Sequence, residues 1–224
     1  MKKCDMKHWI LAAILMLCGT MSALAQIDPR ATEIMRKCEE VMSNPAGLEM
    51  TMTVEARMVI KLTGMTVTVA EKSGKSRATM VMKILGKEVR TEEGFDGMQE
   101  WSYRHIDLKK KGKEVKDTLT IKKATKKSES DYDIDLSVDK DYKTATVKVV
   151  GRYYELTFTN PVKKDDPKKM VVKIDKDKYY FREMKAKQGG MSMTMTVTKI
   201  KIGVSDDVFK FDPKNYPNAV VVRK

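Results

Sequence analysis

Residue types that carry acid–base, nucleophilic or metal chemistry are sparse in this chain of 224 residues, which has two His and three Cys. Beyond residue 25 the sequence retains only His105 and Cys38 of these two types. A Ser–His–Asp triad therefore lacks a visible setting, a His-rich metal site lacks its ligands, and no Gly-rich phosphate loop occurs. Carboxylates are plentiful, but most alternate with Lys on the polar sides of strand-like segments. The composition favours a protein that is not an enzyme and that uses no metal or cofactor.

Methionine is unusually frequent, with 18 residues in the chain and 14 of them after residue 25. Many occupy apolar positions of strand-like segments, where Val, Ile or Leu would be more usual. Met side chains are flexible and polarizable, so a wall of them adapts to alkyl chains of differing length. The alternative is that Met serves as ordinary core filler, and the pattern alone is compatible with both interpretations.

The first 25 residues have the pattern of a secretory signal peptide. Basic residues precede the apolar run 9–17, and residues 23–25 (Ala-Leu-Ala) match the small-x-small cleavage pattern. The apolar run is shorter than the ~20 residues that a membrane-spanning helix needs. We therefore expect cleavage near Ala25 and export to an oxidising compartment. An uncleaved anchor and a lipid attached at Cys18 are the alternatives.

One helix is predicted at the start of the remaining chain, residues 26–224, which we expect to form a single domain. Asp28 can cap this helix, Pro29 suits its first turn, and apolar residues recur at helical spacing until Asn44. Cys38 falls on the apolar side, which favours a small buried side chain over a reactive thiol. As it is the one Cys after residue 25, it has no partner for an intramolecular disulfide there.

Most of the chain after residue 47 alternates between apolar and polar residues with period two. The alternation predicts one long strand over Leu48–Leu62 and further strands, including 134–138, separated by turn signals such as Ser73-Gly74. The fold class is mainly β (α+β): an antiparallel half-barrel of about ten to eleven strands with an N-terminal helix on its concave face. Because one helix covers little of so large a face, the rest of that face is either packed by the sheet curling on itself or left as a groove for an apolar ligand.

Two segments resemble motifs of the periplasmic outer-membrane lipoprotein carrier (LolA-like) family. Residues 95–103 (FDGMQEWSY) resemble its D-G-x-x-x-W-x-Y hairpin. Residues 204–213 (VSDDVFKFDP) look like its C-terminal D-x-x-F-x-F-x-P signature, which a short strand follows, here Ala219–Val222. The order of signal peptide, helix, meander and tail agrees as well, so the resemblance spans essentially all of residues 26–224.

The resemblance implies that residues 26–224 form a lipid-carrier domain. Such a half-barrel shelters the acyl chains of lipoproteins, or of related lipids, and moves them towards the outer membrane without covalent chemistry. A donor complex in the inner membrane and an acceptor at the outer membrane are the partners that this implies. Two features depart from the family pattern. Residues 109–127 contain nine Lys where the family has lid helices. In addition, no Arg near residues 83–85 matches the one that latches the lid.

The lipid-binding side chains are expected on the apolar strand faces and at the mouth of the groove. Trp101 and Tyr103 share one face of their strand, and they either belong to the core or line that mouth. The family likeness favours the mouth, whereas Phe209 and Phe211 are expected to anchor the tail. The candidate lipid-binding residues are Met50, Met52, Val54, Met80, Met82, Ile84, Trp101, Tyr103, Met191, Met193 and Met195.

The formal net charge of +13 raises the question of an anionic partner. Nucleic acid is not expected, because export separates the protein from it and the basic residues do not interleave with aromatic ones. The Lys-rich segment 109–127 is either a solvated hairpin or a surface that docks transiently on an anionic membrane. The alternative to carriage is a non-enzymatic envelope interaction or structural module, with a filled core and a basic docking surface.

Overall fold

The computed structural model describes residues 27–57, 61–84, 86–107, 109–110, 113–123 and 141–224. The predicted signal peptide and the predicted strand at 134–138 lie outside these residues. The elements are α1 (Pro29–Met42), β1 (Leu48–Arg57), β2 (Lys61–Lys72), β3 (Lys75–Ile84), β4 (Lys87–Phe95), β5 (Gln99–Ile106), β6 (Lys109–Lys110), β7 (Lys113–Glu114), β8 (Thr118–Lys123), β9 (Tyr142–Val150), β10 (Tyr153–Pro161), β11 (Lys169–Asp175), β12 (Phe181–Gln188), β13 (Met191–Ile202) and β14 (Val220–Arg223), with 3₁₀ turns at Asp206–Phe209 and Pro213–Asn215.

Twelve of these strands form one open, curled sheet in the order β14-β8-β5-β4-β3-β2-β1-β13-β12-β11-β10-β9. Strand β1 pairs with β2 on one side and with β13 on the other, so it joins two antiparallel meanders. Strand β14 adds to one edge, parallel to β8. The predicted mainly β half-barrel with an N-terminal helix is confirmed.

The predicted long strand Leu48–Leu62 is wrong, because this stretch folds back on itself as the hairpin β1–β2. The two strands pair in antiparallel orientation from Arg57–Lys61 at one end to Leu48–Glu71 at the other. Gly, Pro, Asn and Asp do not occur between the two strands, so the sequence carries no turn signal there. The Ser73-Gly74 signal does mark a turn, and both residues have the positive φ (50° and 76°) of a tight two-residue hairpin.

Helix α1 forms where the sequence predicts it. The Asp28 carboxylate accepts a hydrogen bond from the Arg30 backbone N–H at 3.0 Å, and the Asp28 N–H donates to the Ala145 carbonyl of β9, also at 3.0 Å. The apolar side of α1 packs into the main core with side chains from β1, β2, β3 and β9 to β13. We call this side of the sheet the helix face and the opposite side the outer face. The buried helix residues are Ala31, Ile34, Met35, Cys38 and Met42.

Cys38 lies fully inside this core, as its position on the helix predicts. Burial raises the pKa of its thiol to about 12, although a backbone hydrogen bond with Phe181 acts in the other direction. The thiol therefore stays protonated near neutral pH, which is the behaviour of a packing residue rather than of a nucleophile.

Candidate functional site

Apolar side chains continue across the helix face from strand to strand. In antiparallel pairing, residues directly opposite each other point to the same face, with Cβ atoms about 4.5–5.5 Å apart. The register therefore places two long apolar rows side by side. One row is Val172, Met184, Met195, Val54 and Met65, and the next is Val197, Met52, Val67 and Met80.

The helix face becomes less buried from the start of β1 towards the end of β1. Met50 and Met52 are each 2% exposed, whereas Met191, at the far end of the neighbouring strand β13, is 45% exposed. Between these extremes lie six half-buried methionines of the helix face, which we call the methionine wall. They are Met65, Met80, Met82, Met184, Met193 and Met195. The wall is thus an apolar surface that α1 and the sheet cover only in part.

Beyond β3, the helix face is no longer uniformly apolar. Met80 stands opposite Thr91 of β4, which in turn stands opposite Arg104 of β5. Ser102, further along the same face of β5, is exposed. The six methionines of the wall lie on β12, β13, β2 and β3. Next to the wall, the helix face of β4 is mixed, because polar Thr91 stands opposite Met80 and buried Val89 stands opposite Met82.

The structure divides nine of the eleven predicted lipid-binding residues into three groups on the helix face. Met50, Met52 and Val54 belong to the closed core, so they support the wall rather than form its surface. Ile84 and Met191 are exposed at the open end of the sheet. Those on the wall itself are Met80, Met82, Met193 and Met195. Contact of any of them with lipid stays a prediction.

Two wall residues were missing from the predicted set. Met65 lies in an alternating segment and could have been included on that signal. The pairing of β11 with β12 shifts register near Ile174. This shift breaks the period-two pattern that starts at Phe181 before the pattern reaches Met184. Only the strand pairing reveals that Met184 faces Met195.

Trp101 and Tyr103 lie on the outer face, so the prediction that they line the mouth of the groove is wrong. Trp101 pairs with Gly94, and a Cβ at Gly94 would come within 2.1 Å of the indole Cζ2, so glycine lets the ring lie across β4. Phe211 of the C-terminal tail packs on Trp101 at 5.3 Å between ring centroids, and Tyr216 packs on Tyr103 at 4.8 Å. The two rings therefore anchor the tail, as Phe211 was expected to do.

Polar groups reinforce this attachment of the tail. The Tyr103 hydroxyl donates to Asp117 Oδ2 at 2.7 Å, while His105 Nδ1 lies 2.8 Å from Asp117 Oδ1. Burial, followed by the hydrogen bond to Asp117, raises the pKa of Tyr103 to about 12. Tyr216 donates to Glu92, a carboxylate that is 1% exposed. The Tyr216 bond connects the tail with β4, while the two contacts of Asp117 connect β5 with the segment before β8.

Among the residues that the structure describes, no cluster of three or more His, Cys, Asp or Glu is arranged to hold a metal ion. None of the helices described is both long and apolar enough to span a bilayer.

Solved structures match most of this chain, whereas no family model and no curated relative matches it. An uncharacterized conserved protein from Thermus thermophilus is 15% identical, with 87% of this chain and 99% of that one covered and a TM-score of 0.50. LprF from Mycobacterium bovis is 12% identical over 80% of this chain and 96% of its own, with a TM-score of 0.48. A LolA superfamily protein from Nitrosomonas europaea is 8% identical over 81% and 98%, with a TM-score of 0.31. At these identities the similarity concerns the fold alone, an open curled sheet with a helix.

Proposed function

We propose that this protein is a periplasmic carrier that shelters the acyl chains of lipoproteins, or of related lipids, and moves them towards the outer membrane. The observation that carries the proposal is the methionine wall, a half-buried apolar surface beside a closed core. An inner-membrane donor and an outer-membrane acceptor belong to the same proposal. Carriage of this kind requires binding and release but no covalent step.

Hydrophobic transfer supplies the binding energy that such a carrier needs. Each methylene group moved from water into an apolar site contributes about 0.8 kcal/mol, so ten of them contribute about 8 kcal/mol. Met side chains adjust their shape at little cost, which suits acyl chains of differing length. The wall can therefore compete with a bilayer for an alkyl chain without a closely fitted pocket.

The experiment is lipid analysis of the protein purified from the periplasm of the cell that exports it. We expect native mass spectrometry to show protein with bound acylated molecules, and organic extraction to release them. A protein that is consistently empty, even when isolated without detergent, would contradict carriage. That result would favour the alternative, an envelope interaction module with a filled core.

We propose in addition that the Lys-rich segment docks on anionic headgroups during transfer. Lys116, Lys122 and Lys123 are exposed around β8, and each lysine near such a surface contributes about 1 kcal/mol. Binding to vesicles that contain anionic lipid is expected to weaken steeply between 50 and 500 mM salt, because exposed charges are screened over about 10 Å at 0.1 M. Affinity that does not change with salt in a sedimentation assay would contradict electrostatic docking.

A further inference from the structure

Three methionines of the wall are immediate neighbours on two strands. Met184 of β12 stands directly opposite Met195 of β13, so their Cβ atoms are about 4.5–5.5 Å apart. Met193 precedes Met195 by two residues on the same face, about 7 Å along the strand, and is diagonal to Met184. A Met side chain has three rotatable bonds, so the three sulfur atoms can approach a common point.

Met193 is half-buried on the helix face, at the edge of the main core. Its two cross-strand neighbours are Ala186 and Ala56, whose small side chains leave room on both sides. Met191, the most exposed of this group, continues the same face of β13 to the end of the sheet. An ion could therefore reach the three thioethers from solvent without the core opening.

We propose that Met184, Met193 and Met195 bind a soft monovalent metal ion, Cu(I) or Ag(I), through their sulfur atoms. Thioethers are soft ligands that select Cu(I) over hard cations such as Mg²⁺. The cross-strand neighbours Val172 and Val54 are apolar, so the site offers neutral ligands in apolar surroundings. A single positive charge loses less hydration energy there than a divalent ion would. The proposal depends on sulfur and not on lipid, so it stands independently of carriage.

Leucine distinguishes the two properties of methionine, because it keeps the apolar volume but lacks the sulfur. In every sample Cys4, Cys18 and Cys38 are replaced by Ala. The test compares the full chain with all its methionines, called the unaltered chain, with the Met184→Leu/Met193→Leu/Met195→Leu variant. Calorimetric titration with Ag(I) is expected to show one ion per unaltered chain. The triple variant is expected to lose at least about tenfold in affinity. Circular dichroism checks that both chains fold, and the three single variants are measured as well in case the triple variant does not.

A matched control carries Met42→Leu, Met50→Leu and Met98→Leu, which remove three sulfurs elsewhere in the chain. This control should bind Ag(I) as the unaltered chain does, and X-ray absorption of the Cu(I) form prepared without oxygen should show a first shell of sulfur only. Equal affinity in the wall variant and the unaltered chain would overturn the proposal. So would a first shell of nitrogen or oxygen, or equal loss in the control.

Discussion

If the protein carries lipid as proposed, the Met82→Glu/Met193→Glu double variant is expected to fold and to lose that lipid. Both side chains are half-buried on the helix face, so in the empty protein a carboxylate at either position still reaches water. An acyl chain lying on the wall would remove that water and leave the charge unpaired, at a cost of several kcal/mol. Loading should therefore fall by about a hundredfold or more, measured as lipid per protein by native mass spectrometry.

Two controls make this result specific to charge on the wall. The Met82→Leu/Met193→Leu variant keeps the apolar surface and should load normally. Met98→Glu adds a carboxylate at a turn residue that is 77% exposed, and it should also load normally. Far-UV circular dichroism and thermal unfolding establish that each variant is folded. Full loading of a folded double glutamate variant would exclude this part of the helix face as the lipid site.

The elements that the sequence predicts well are those with strong local signals. Asp28 and Pro29 mark the start of α1, and helical spacing of apolar residues defines its buried side. Period-two alternation and Gly-containing turns then give most strands of the sheet. These signals act over a few residues, so a single sequence reveals them without knowledge of the tertiary fold.

Local signals do not predict which face of a strand becomes concave, because this depends on how the whole sheet curls. Trp101 and Tyr103 were correctly placed on one face of β5, but that face is the outer one. The assignment depends on the tail packing there, a contact between segments about a hundred residues apart. Alternation carries no information about such a contact, and it likewise missed Met184, whose register depends on a bulge.

The buried carboxylate of Glu92 connects the tail to the sheet through charged partners. Arg77 Nη2 donates to Glu92 Oε1 at 2.8 Å, and Arg90 Nη2 donates to Oε2 at 3.2 Å. Arg77 Nη1 also donates to the Val208 carbonyl of the tail at 3.0 Å. Arg77 therefore compensates a buried charge and holds the tail at the same time, whereas Arg90 is the more exposed of the two cations.

Replacing Arg77 with methionine is expected to lower the free energy of unfolding by about 3 kcal/mol, because removal of one partner leaves a buried charge poorly compensated. Urea unfolding followed by circular dichroism measures the loss, and Arg90→Met serves as the control with a smaller expected effect, about 1 kcal/mol. The double variant Arg77→Met/Glu92→Met removes the charge together with its partner and should recover part of the stability, because Tyr216 then lacks its acceptor. If Arg77→Met cost no more than Arg90→Met, or if the double variant were less stable than Arg77→Met alone, Glu92 would not be the group that makes Arg77 necessary. The expected result instead identifies Glu92 as the group that makes Arg77 necessary, and Arg77 as a link between the sheet and the tail.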